Sequence, residues 1–220
     1  MNNTENTDFA LAITKEQLAE LPRVEYPGHI HIIDSTVQTI KAVSILKKYS
    51  LLGFDTESKP TFKKGTPIHV SLIQIATDDI CFLFRTRKIQ DLTPLREIVD
   101  NPNILKIGLS LHDDFNNLSH NYNFTPQGFV DLQKIVPLYK FANISLQKIY
   151  AILFEERISK SQQLSNWDAP ELTDAQSSYA AIDAWACIRI YRKLMDANFK
   201  PELSKYKIDN IVELENQTNS

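Results

Sequence analysis

The sequence predicts an α/β or α+β fold, in which helices cover a central mixed β-sheet. Short apolar runs typical of strands, such as Leu51–Glu57, alternate along the chain with segments whose apolar residues recur at helical spacing. The 220 residues, 43% of them hydrophobic and 23% charged, suffice for one core and exclude a mostly disordered or fibrous chain. No apolar run reaches the roughly 18 residues that a membrane-spanning helix needs.

Capping signals and apolar spacing place the elements of the amino-terminal half. Thr14 and Gln17 form a capping box for a short helix, which Pro22 ends. Asp34 or Ser35 can cap a second helix, because apolar residues follow at steps of three. The predicted elements are a helix at 15–21, a strand at 29–33, a helix ending near 46, a strand at 51–57, a hairpin with strands 70–77 and 80–84, and a helix at 92–99.

The carboxyl-terminal half contains the longest predicted helix. Thr173 and Gln176 form a second capping box, which opens this helix. Ser110 and Ser145 are candidate caps for two earlier helices. The predicted elements are a strand at 105–109, a helix at 112–120, a strand at 129–132 followed by a short helix, a helix at 145–154, a loop at 155–171 and the long helix at 172–195.

Composition and charge limit the possible domain organisation and the possible cellular compartment. The net charge of −3 does not indicate non-specific coating of nucleic acid, but it is compatible with an enzyme that holds phosphate locally. Two distant cysteines and a polar, acidic amino terminus predict a reducing compartment, the cytoplasm, without disulfides or a secretory signal. Residues 26–198 are predicted to form the domain, with residues 1–25 as an arm and residues 199–220 as a poorly packed tail.

Asp55 and Glu57 are the first acidic pair with a chemical interpretation. Residues two apart in a strand share a face, so these carboxylates are expected side by side at the end of a buried strand. Like charges this close repel, and a hard divalent cation such as Mg²⁺ or Mn²⁺ relieves the repulsion by binding carboxylate oxygen. The alternative is that the strand simply ends here and both acids face water.

Two further segments carry acids. In KIGLSLHDDFNNL, Asp113 and Asp114 fall in a first helical turn, where the helix dipole is a sufficient structural reason for either. The functional interpretation places Asp114 at the strand end, facing Asp55. In YAAIDAW, Tyr179 and Asp183 share one helix face. A tyrosine in such an apolar stripe is typical of a core, whereas an unpaired aspartate there is costly if buried.

Together, the segments GFDTE, KIGLSLHDDFNNL and YAAIDAW resemble the three exonuclease motifs of the DEDD superfamily. The tyrosine four residues before the last aspartate is similar to that of the DEDDy branch. Within this branch the chain resembles the RNase D and Werner-syndrome-type 3′–5′ exonuclease domains over about residues 29–197. The resemblance implies an RNase H-like α/β fold, with a central five-to-six-stranded mixed β-sheet flanked by helices.

The resemblance also implies an activity and a set of roles. The chain would hydrolyse phosphodiester bonds from the 3′ end of DNA or RNA, use two Mg²⁺ or Mn²⁺ ions about 4 Å apart, and release nucleoside 5′-monophosphates. Asp55 would bridge both ions, and Glu57 and Asp183 would complete the site of the ion that activates water. Asp114 would support the second ion. Tyr179 would orient the attacking water.

Two details of this resemblance concern the third acid and the substrate. The family's third acid stands six positions after a glycine and four before a leucine, and Gly108 and Leu118 therefore select Asp114 over Asp113. Ser58 stands directly after the first motif, where many relatives have an aromatic residue. The sequence therefore does not decide between DNA and RNA.

Basic residues follow the first motif and are candidates for substrate binding. Cations there would hold phosphates, and an aromatic ring would stack on a base. The alternative is an ordinary solvated loop. The candidates are Lys59, Phe62, Lys63, Lys64 and His69, and a second candidate phosphate patch contains Arg85, Arg87 and Lys88.

The expected partner is nucleic acid with a free 3′ end, single-stranded or in a 3′ overhang, and no membrane. Two other functions stay open. One is a nucleic-acid clamp of the same fold without turnover, and the complete set of acids argues against it. The other is a different metal-dependent hydrolase, such as an RNase H-like endonuclease or a phosphatase, and the pair of Tyr179 and Asp183 favours the exonuclease.

Overall fold

A six-stranded mixed sheet forms the centre of the structure, a computed structural model that describes residues 9–60 and 68–209. This sheet confirms the predicted α/β architecture. Its strands begin and end close to the predicted bounds, because apolar runs and turn residues mark them clearly. In chain order the strands are β1 (Ala10–Leu11), β2 (His29–Ile33), β3 (Leu51–Ser58), β4 (Val70–Ala76), β5 (Ile80–Arg85), β6 (Leu105–Gly108), β7 (Phe129–Asp131) and β8 (Lys207–Ile208), of which β2 to β7 form the large sheet.

Helices cover both faces of the large sheet. Both predicted capping boxes are present at helix starts, Thr14 with Gln17 and Thr173 with Gln176. Within residues 9–60 and 68–209, no helix combines the length and apolar character needed to cross a membrane. The helices are α1 (Lys15–Glu20), α2 (Thr36–Leu46), α3 (Arg96–Val99), α4 (His112–Tyr122), α5 (Leu132–Ile135), α6 (Leu146–Phe154) and α7 (Asp174–Met195).

The sheet separates two hydrophobic clusters. Alternate side chains of β4 point to opposite faces, as the pleat requires. Leu72 and Ala76 belong to the cluster under α6 and α7, whereas Ile73 and Ile75 belong to the cluster under α2, α3 and α4. Elements from both faces therefore converge on the strands between them.

The strand order brings the start of α4 to the carboxyl end of β3. The order is β2-β5-β4-β3-β6-β7, in which β3, β4 and β5 are antiparallel and β6 runs parallel to β3. Gly53 pairs with Ile107, so β6 ends at about the level of Asp55. The chain that leaves β6 consequently enters α4 beside the last residues of β3.

A glycine lets α7 approach the sheet closely. A Cβ atom at Gly53 would lie 2.0 Å from the carbonyl oxygen of Ala184 and 2.7 Å from its carbonyl carbon. Small residues of α7 permit this approach, and Ala180, Ala181 and Ala184 are fully buried. The sheet contributes the second half of this contact through Gly53, which the sequence analysis does not anticipate.

The two ends of the described chain pack together, which differs from the predicted poorly packed tail. Strand β1 pairs with β8 in a small antiparallel sheet, so that Ala10 lies opposite Ile208. Leu11 and Tyr206 are buried in the core, and the Ala12 amide donates to the Tyr206 carbonyl oxygen. The prediction of poor packing is therefore wrong for residues 199–209, because their aromatic side chains cover apolar surface that charge composition does not reveal.

Candidate active site

Three carboxylates meet where α7 crosses the end of β3. Asp55 and Glu57 point to the same face of the strand, and Asp183 projects from α7 onto that face. One oxygen from each carboxylate lies within 4.8 Å of the others. Asp183 is 6% exposed, so it sits mid-helix in the buried position that is costly without a partner. The close approach of α7 at Gly53 sets this separation.

Asp114 reaches the same strand end from the opposite face of the sheet. Thr56 lies between the two acids of β3, and its hydroxyl donates a hydrogen bond to the Asp114 carboxylate. Asp113 points to solvent, whereas Asp114 is half-buried. This geometry supports the choice of Asp114 as the fourth acid, although Asp114 lies outside the cluster of three.

Tyr179 lies one helical turn before Asp183 and borders the cluster. Burial, together with the charges of Asp183 and Glu57, raises the pKa of the Tyr179 hydroxyl above its ordinary value. The hydroxyl is therefore neutral and protonated at physiological pH. It is available as a hydrogen-bond donor in the metal-free site.

When no cation is present, the pKa values of the clustered acids are raised, so these acids keep their protons to higher pH. Burial raises the pKa of Asp55 well above its ordinary value, and the charges of Asp183, Glu57 and Asp114 raise it further. Burial, followed by the charges of Asp183 and Asp114, raises the pKa of Glu57 to about 8. Burial also raises the pKa of Asp183 to about 7, although the Tyr179 hydroxyl opposes this by favouring the charged form. Carboxylates that cannot all ionise in the absence of a cation are suited to bind a divalent cation, which prefers hard oxygen ligands.

Asp114 is perturbed in the same direction for partly different reasons. Burial raises its pKa to about 6, the Thr56 hydroxyl opposes the rise, and the charges of Asp113 and Asp131 add to it. Its hydrogen bond to Thr56 leaves it anchored to β3.

Asp55, Glu57 and Asp183 line an open cleft of about 360 Å³, and Asp114 is not among the described residues that line it. Lys160 also lines this cleft, and its positive charge lowers the pKa of Asp183. The sequence analysis treats residues 155–171 only as a loop and misses this lysine. A single cation in an irregular segment has no periodicity that would reveal it. Ser145 occupies the predicted N-cap position of α6 and also lines the cleft, but its hydroxyl makes no cap hydrogen bond.

Two of the five predicted substrate-binding residues that follow the first motif lie within the described residues. Lys59 and His69 are both exposed, at the end of β3 and just before β4. The Lys59 amide donates to the Ser71 hydroxyl, which closes the irregular pairing where β3 ends. Neither residue is among the described residues that line the cleft. Phe62, Lys63 and Lys64 lie outside the described residues, and all five assignments stay predictions.

The second candidate phosphate patch is not supported by the contacts of its members. Arg85 is buried and donates to the carbonyl oxygens of Ala169 and Pro170. Lys88 also donates to the Pro170 carbonyl oxygen, and Arg87 lies 3.8 Å from the Asp168 carboxylate. These cations follow β5 in sequence, as predicted. They hold a neighbouring loop because that loop turns its carbonyl groups towards them.

Asp131 is a residue of the site region that the sequence analysis misses. Ser110 was expected to cap α4, but Ser110 has a φ of 62° and α4 begins without a side-chain cap from its own sequence. The Asp131 carboxylate instead accepts hydrogen bonds from the amides of Ser110, at 2.8 Å, and Leu111, at 3.1 Å. It holds the left-handed turn that starts α4 and thereby aims Asp114. An aspartate at a strand end is a cap signal, and Asp131 also caps α5 by accepting from the Gln133 amide. The other two donors, however, come from a distant segment.

Replacing Asp131 with alanine is expected to destabilise the fold by about 1–2 kcal/mol, since α5 loses its cap and the amides of Ser110 and Leu111 lose their acceptor. Asp114 should shift with the start of α4, so nuclease turnover should fall by about tenfold. Asp131→Asn is the matched control, because it keeps one acceptor oxygen and should lose less of both. Thermal unfolding and steady-state rates measure the two effects. Equal losses in both variants would contradict the role of the carboxylate as acceptor.

Comparisons with known proteins identify one family and its fold. The family model described as 3′–5′ exonuclease matches residues 30–197. Ribonuclease D of Desulfotalea psychrophila is 31% identical over 158 residues, which cover 70% of this chain and 41% of that protein. The crystal structure of the Aedes aegypti Nibbler EXO domain has a TM-score of 0.70 and 25% identity, covering 79% of this chain and 92% of that one.

A further solved structure shows the same fold at lower identity. Trypanosoma brucei RNase D in complex with RNA U12 has a TM-score of 0.68 and 18% identity, covering 83% of this chain and 65% of that one. The curated relatives are longer than this chain, which spans 14% of one of them and 59% of another. The family match nevertheless covers most of the chain and includes the segments that carry all four acids and Tyr179. The chain therefore belongs to the 3′–5′ exonuclease family.

Proposed function

We propose that this chain is a metal-dependent 3′–5′ exonuclease that releases nucleoside 5′-monophosphates from the 3′ end of DNA or RNA. The observation that carries the proposal is the cluster of Asp55, Glu57 and Asp183, whose carboxylate oxygens lie within 4.8 Å of one another in an open cleft. Membership of the exonuclease family supports it.

The donor set fits two Mg²⁺ or Mn²⁺ ions. Asp55, Glu57 and Asp183 would hold one ion, and Asp55 and Asp114 would support the other. When bound, such ions supply the positive charge that activates a water and stabilises the leaving 3′-oxygen. Three clustered carboxylates with raised pKa values, of which Asp183 is buried and the other two half-buried, favour this interpretation over acids that merely face water.

The side chains around the acids would position the reacting groups. The Tyr179 hydroxyl borders the cluster in its protonated form, so it would donate a hydrogen bond to the attacking water or to a phosphate oxygen. Thr56 would keep the Asp114 carboxylate in place. Lys160 would add positive charge to the cleft, where a phosphodiester brings negative charge.

The substrate proposal is nucleic acid with a free 3′ end. The relatives include a ribonuclease D, and the fold recurs in an RNase D solved with RNA, so RNA is one candidate and DNA the other. Lys59, Phe62, Lys63, Lys64 and His69 are proposed to contact the strand beyond the cleft. Residues 26–198 are proposed as the exonuclease domain, with 1–25 and 199–220 as flanking segments. The cytoplasm is the proposed location, since both cysteines are buried and free.

Metal affinity is expected to rise with pH between about 6 and 8, because protons occupy Glu57 and Asp183 below this range and must leave before a cation binds. The raised pKa values also mean that the metal-free fold loses stability as pH rises from about 4 towards 8, since the carboxylates ionise more easily in the unfolded chain. Added Mn²⁺ should therefore raise the melting temperature more at pH 8 than at pH 6. Calorimetric titration and thermal unfolding at both pH values measure this, and equal Mn²⁺ affinity at both would contradict it.

A cleavage ladder tests the proposed activity. The protein is incubated with 5′-labelled single-stranded DNA and RNA, with Mg²⁺ or Mn²⁺ and with chelator, beside a covalently closed circular strand. A ladder that shortens from the 3′ end only with metal, and an intact circle, are expected. Cleavage of the circle would indicate an endonuclease. Metal-dependent binding of the linear strands without cleavage would indicate a clamp.

A further inference from the structure

Arg85 joins the end of β5 to a loop far along the chain. We refer to residues 166–170 as the Trp loop. Arg85 is 4% exposed, and its guanidinium group donates to the carbonyl oxygens of Ala169 and, at 2.9 Å, Pro170. Its Nε atom lies 3.8 Å from the carboxylate of Asp34. A planar group with several fixed donors can hold two successive carbonyls in one orientation, which an ammonium group cannot do.

The Trp loop in turn packs against Tyr179. Trp167 is 1% exposed, and its ring centroid lies 6.0 Å from that of Tyr179, with 32° between the ring planes. The other end of the loop is tied to α7, because the Gln176 side chain donates to the Asn166 carbonyl oxygen at 3.4 Å. A buried indole in a loop held by Arg85 and Gln176 therefore limits the orientations open to the phenol ring that it packs against.

We infer that Arg85 is a positioning residue for Tyr179, which acts by anchoring the Trp loop so that Trp167 fixes the direction of the Tyr179 hydroxyl. This inference rests on the proposed exonuclease function. Arg85 touches neither the acids nor the cleft among the described residues. Replacing Arg85 should therefore lower turnover without weakening the affinity for nucleic acid. Small displacements of a reacting group lower rates by up to about 100-fold.

The test compares Arg85→Met with Arg96→Met, each made in the wild-type chain and in a Tyr179→Phe chain. Arg96 is a matched control because it is an arginine in an exposed ion pair with Asp100 on α3. Single-turnover rates are measured on a 5′-labelled strand, and dissociation constants are measured at several salt concentrations. Arg85→Met should lower the rate by about 10- to 100-fold in the wild-type chain. It should change the rate by less than about threefold when the Tyr179 hydroxyl is already absent. Arg96→Met should leave the rates unchanged.

Each alternative explanation has its own result. An equal loss of rate with and without the Tyr179 hydroxyl would indicate a general structural effect and overturn the inference. A weaker dissociation constant with a shallower salt dependence would indicate a phosphate contact and would also overturn it. Failure of the wild-type chain to cleave would overturn the exonuclease proposal itself. Cleavage by the wild-type chain with unaffected Arg85→Met would overturn only the inference.

Tryptophan fluorescence tests the anchor independently of activity. In a Trp185→Phe chain, Trp167 is the remaining tryptophan. Arg85→Met should shift its emission to longer wavelength and increase its quenching by acrylamide, because the loop gives water access to the indole. Unchanged emission and quenching would overturn the anchoring role. Arg85→Lys keeps the charge and the ability to donate but loses the planar arrangement of donors, so it is expected to give an intermediate rate and emission. This variant provides the test if Arg85→Met does not fold.

Discussion

Replacing Asp55 with asparagine is expected to lower nuclease turnover by about 10³-fold or more, which corresponds to about 4 kcal/mol of lost transition-state stabilisation. Asp55 is the acid whose pKa is raised by the charges of all three other acids, so it lies at the electrostatic centre of the site. An amide keeps the shape of the side chain but removes the charge that would hold cations. Mn²⁺ affinity should fall together with the rate.

The same substitution should raise the melting temperature of the metal-free protein at pH 8. Asparagine removes a buried group that would otherwise be forced to ionise beside Glu57 and Asp183. Asp113→Asn is the matched control, since Asp113 is exposed and acts on the site only through a secondary charge effect on the pKa of Asp114, so rate, Mn²⁺ affinity and melting temperature should change far less than in Asp55→Asn. An Asp55→Asn protein that retained wild-type turnover would contradict the assignment of the metal site.

Replacing Gly53 with alanine is expected to be the most damaging change outside the acids. The new methyl group would lie 2.0 Å from the Ala184 carbonyl oxygen, so α7 must move away from β3. Overpacking of this kind costs about 1–3 kcal/mol and sometimes more. Because Asp183 directly precedes Ala184, the displacement also separates Asp183 from Asp55. Turnover should fall by about 100-fold, even in molecules that remain folded.

The atoms that cause this clash provide a sharp control. They belong to the backbone of residue 184, so Ala184→Gly cannot relieve it. A chain carrying both Gly53→Ala and Ala184→Gly should therefore be no more stable or active than Gly53→Ala alone. Thermal unfolding and single-turnover rates measure both effects. Full rescue by the second substitution would show that the side chain, and not the backbone, sets the separation of α7 from β3.

The parts of the site that follow local periodicity could be predicted from the sequence. Asp55 and Glu57 share a face because strands alternate, and Tyr179 and Asp183 share a face because helices repeat. The meeting of these two pairs required a resemblance to known motifs, since no local pattern brings β3 against α7. The choice of Asp114 also required this resemblance, because the helix dipole favours an aspartate at position 113 as much as at position 114.

Contacts between distant segments could not be predicted. Asp131 accepts from amides of residues 110 and 111, and Arg85 donates to carbonyls of residues 169 and 170. In each case one partner is a backbone group, which every residue possesses and which therefore leaves no mark on the sequence. The basic run at 85–88 predicts phosphate binding, whereas Arg85 and Lys88 donate to carbonyl oxygens and Arg87 lies beside the Asp168 carboxylate.

The position of α7 at the far end of the sequence has a consequence for biosynthesis. Asp55 and Glu57 are made more than 100 residues before Asp183. At synthesis rates of about 5–20 residues per second, the strand with the first two acids waits for roughly ten seconds before α7 can cover it. During this interval the Gly53 face of β3 has no partner helix, and the nascent chain cannot assemble the cluster of three acids. The proposed nuclease activity can therefore arise only after α7 has left the ribosome and docked against β3.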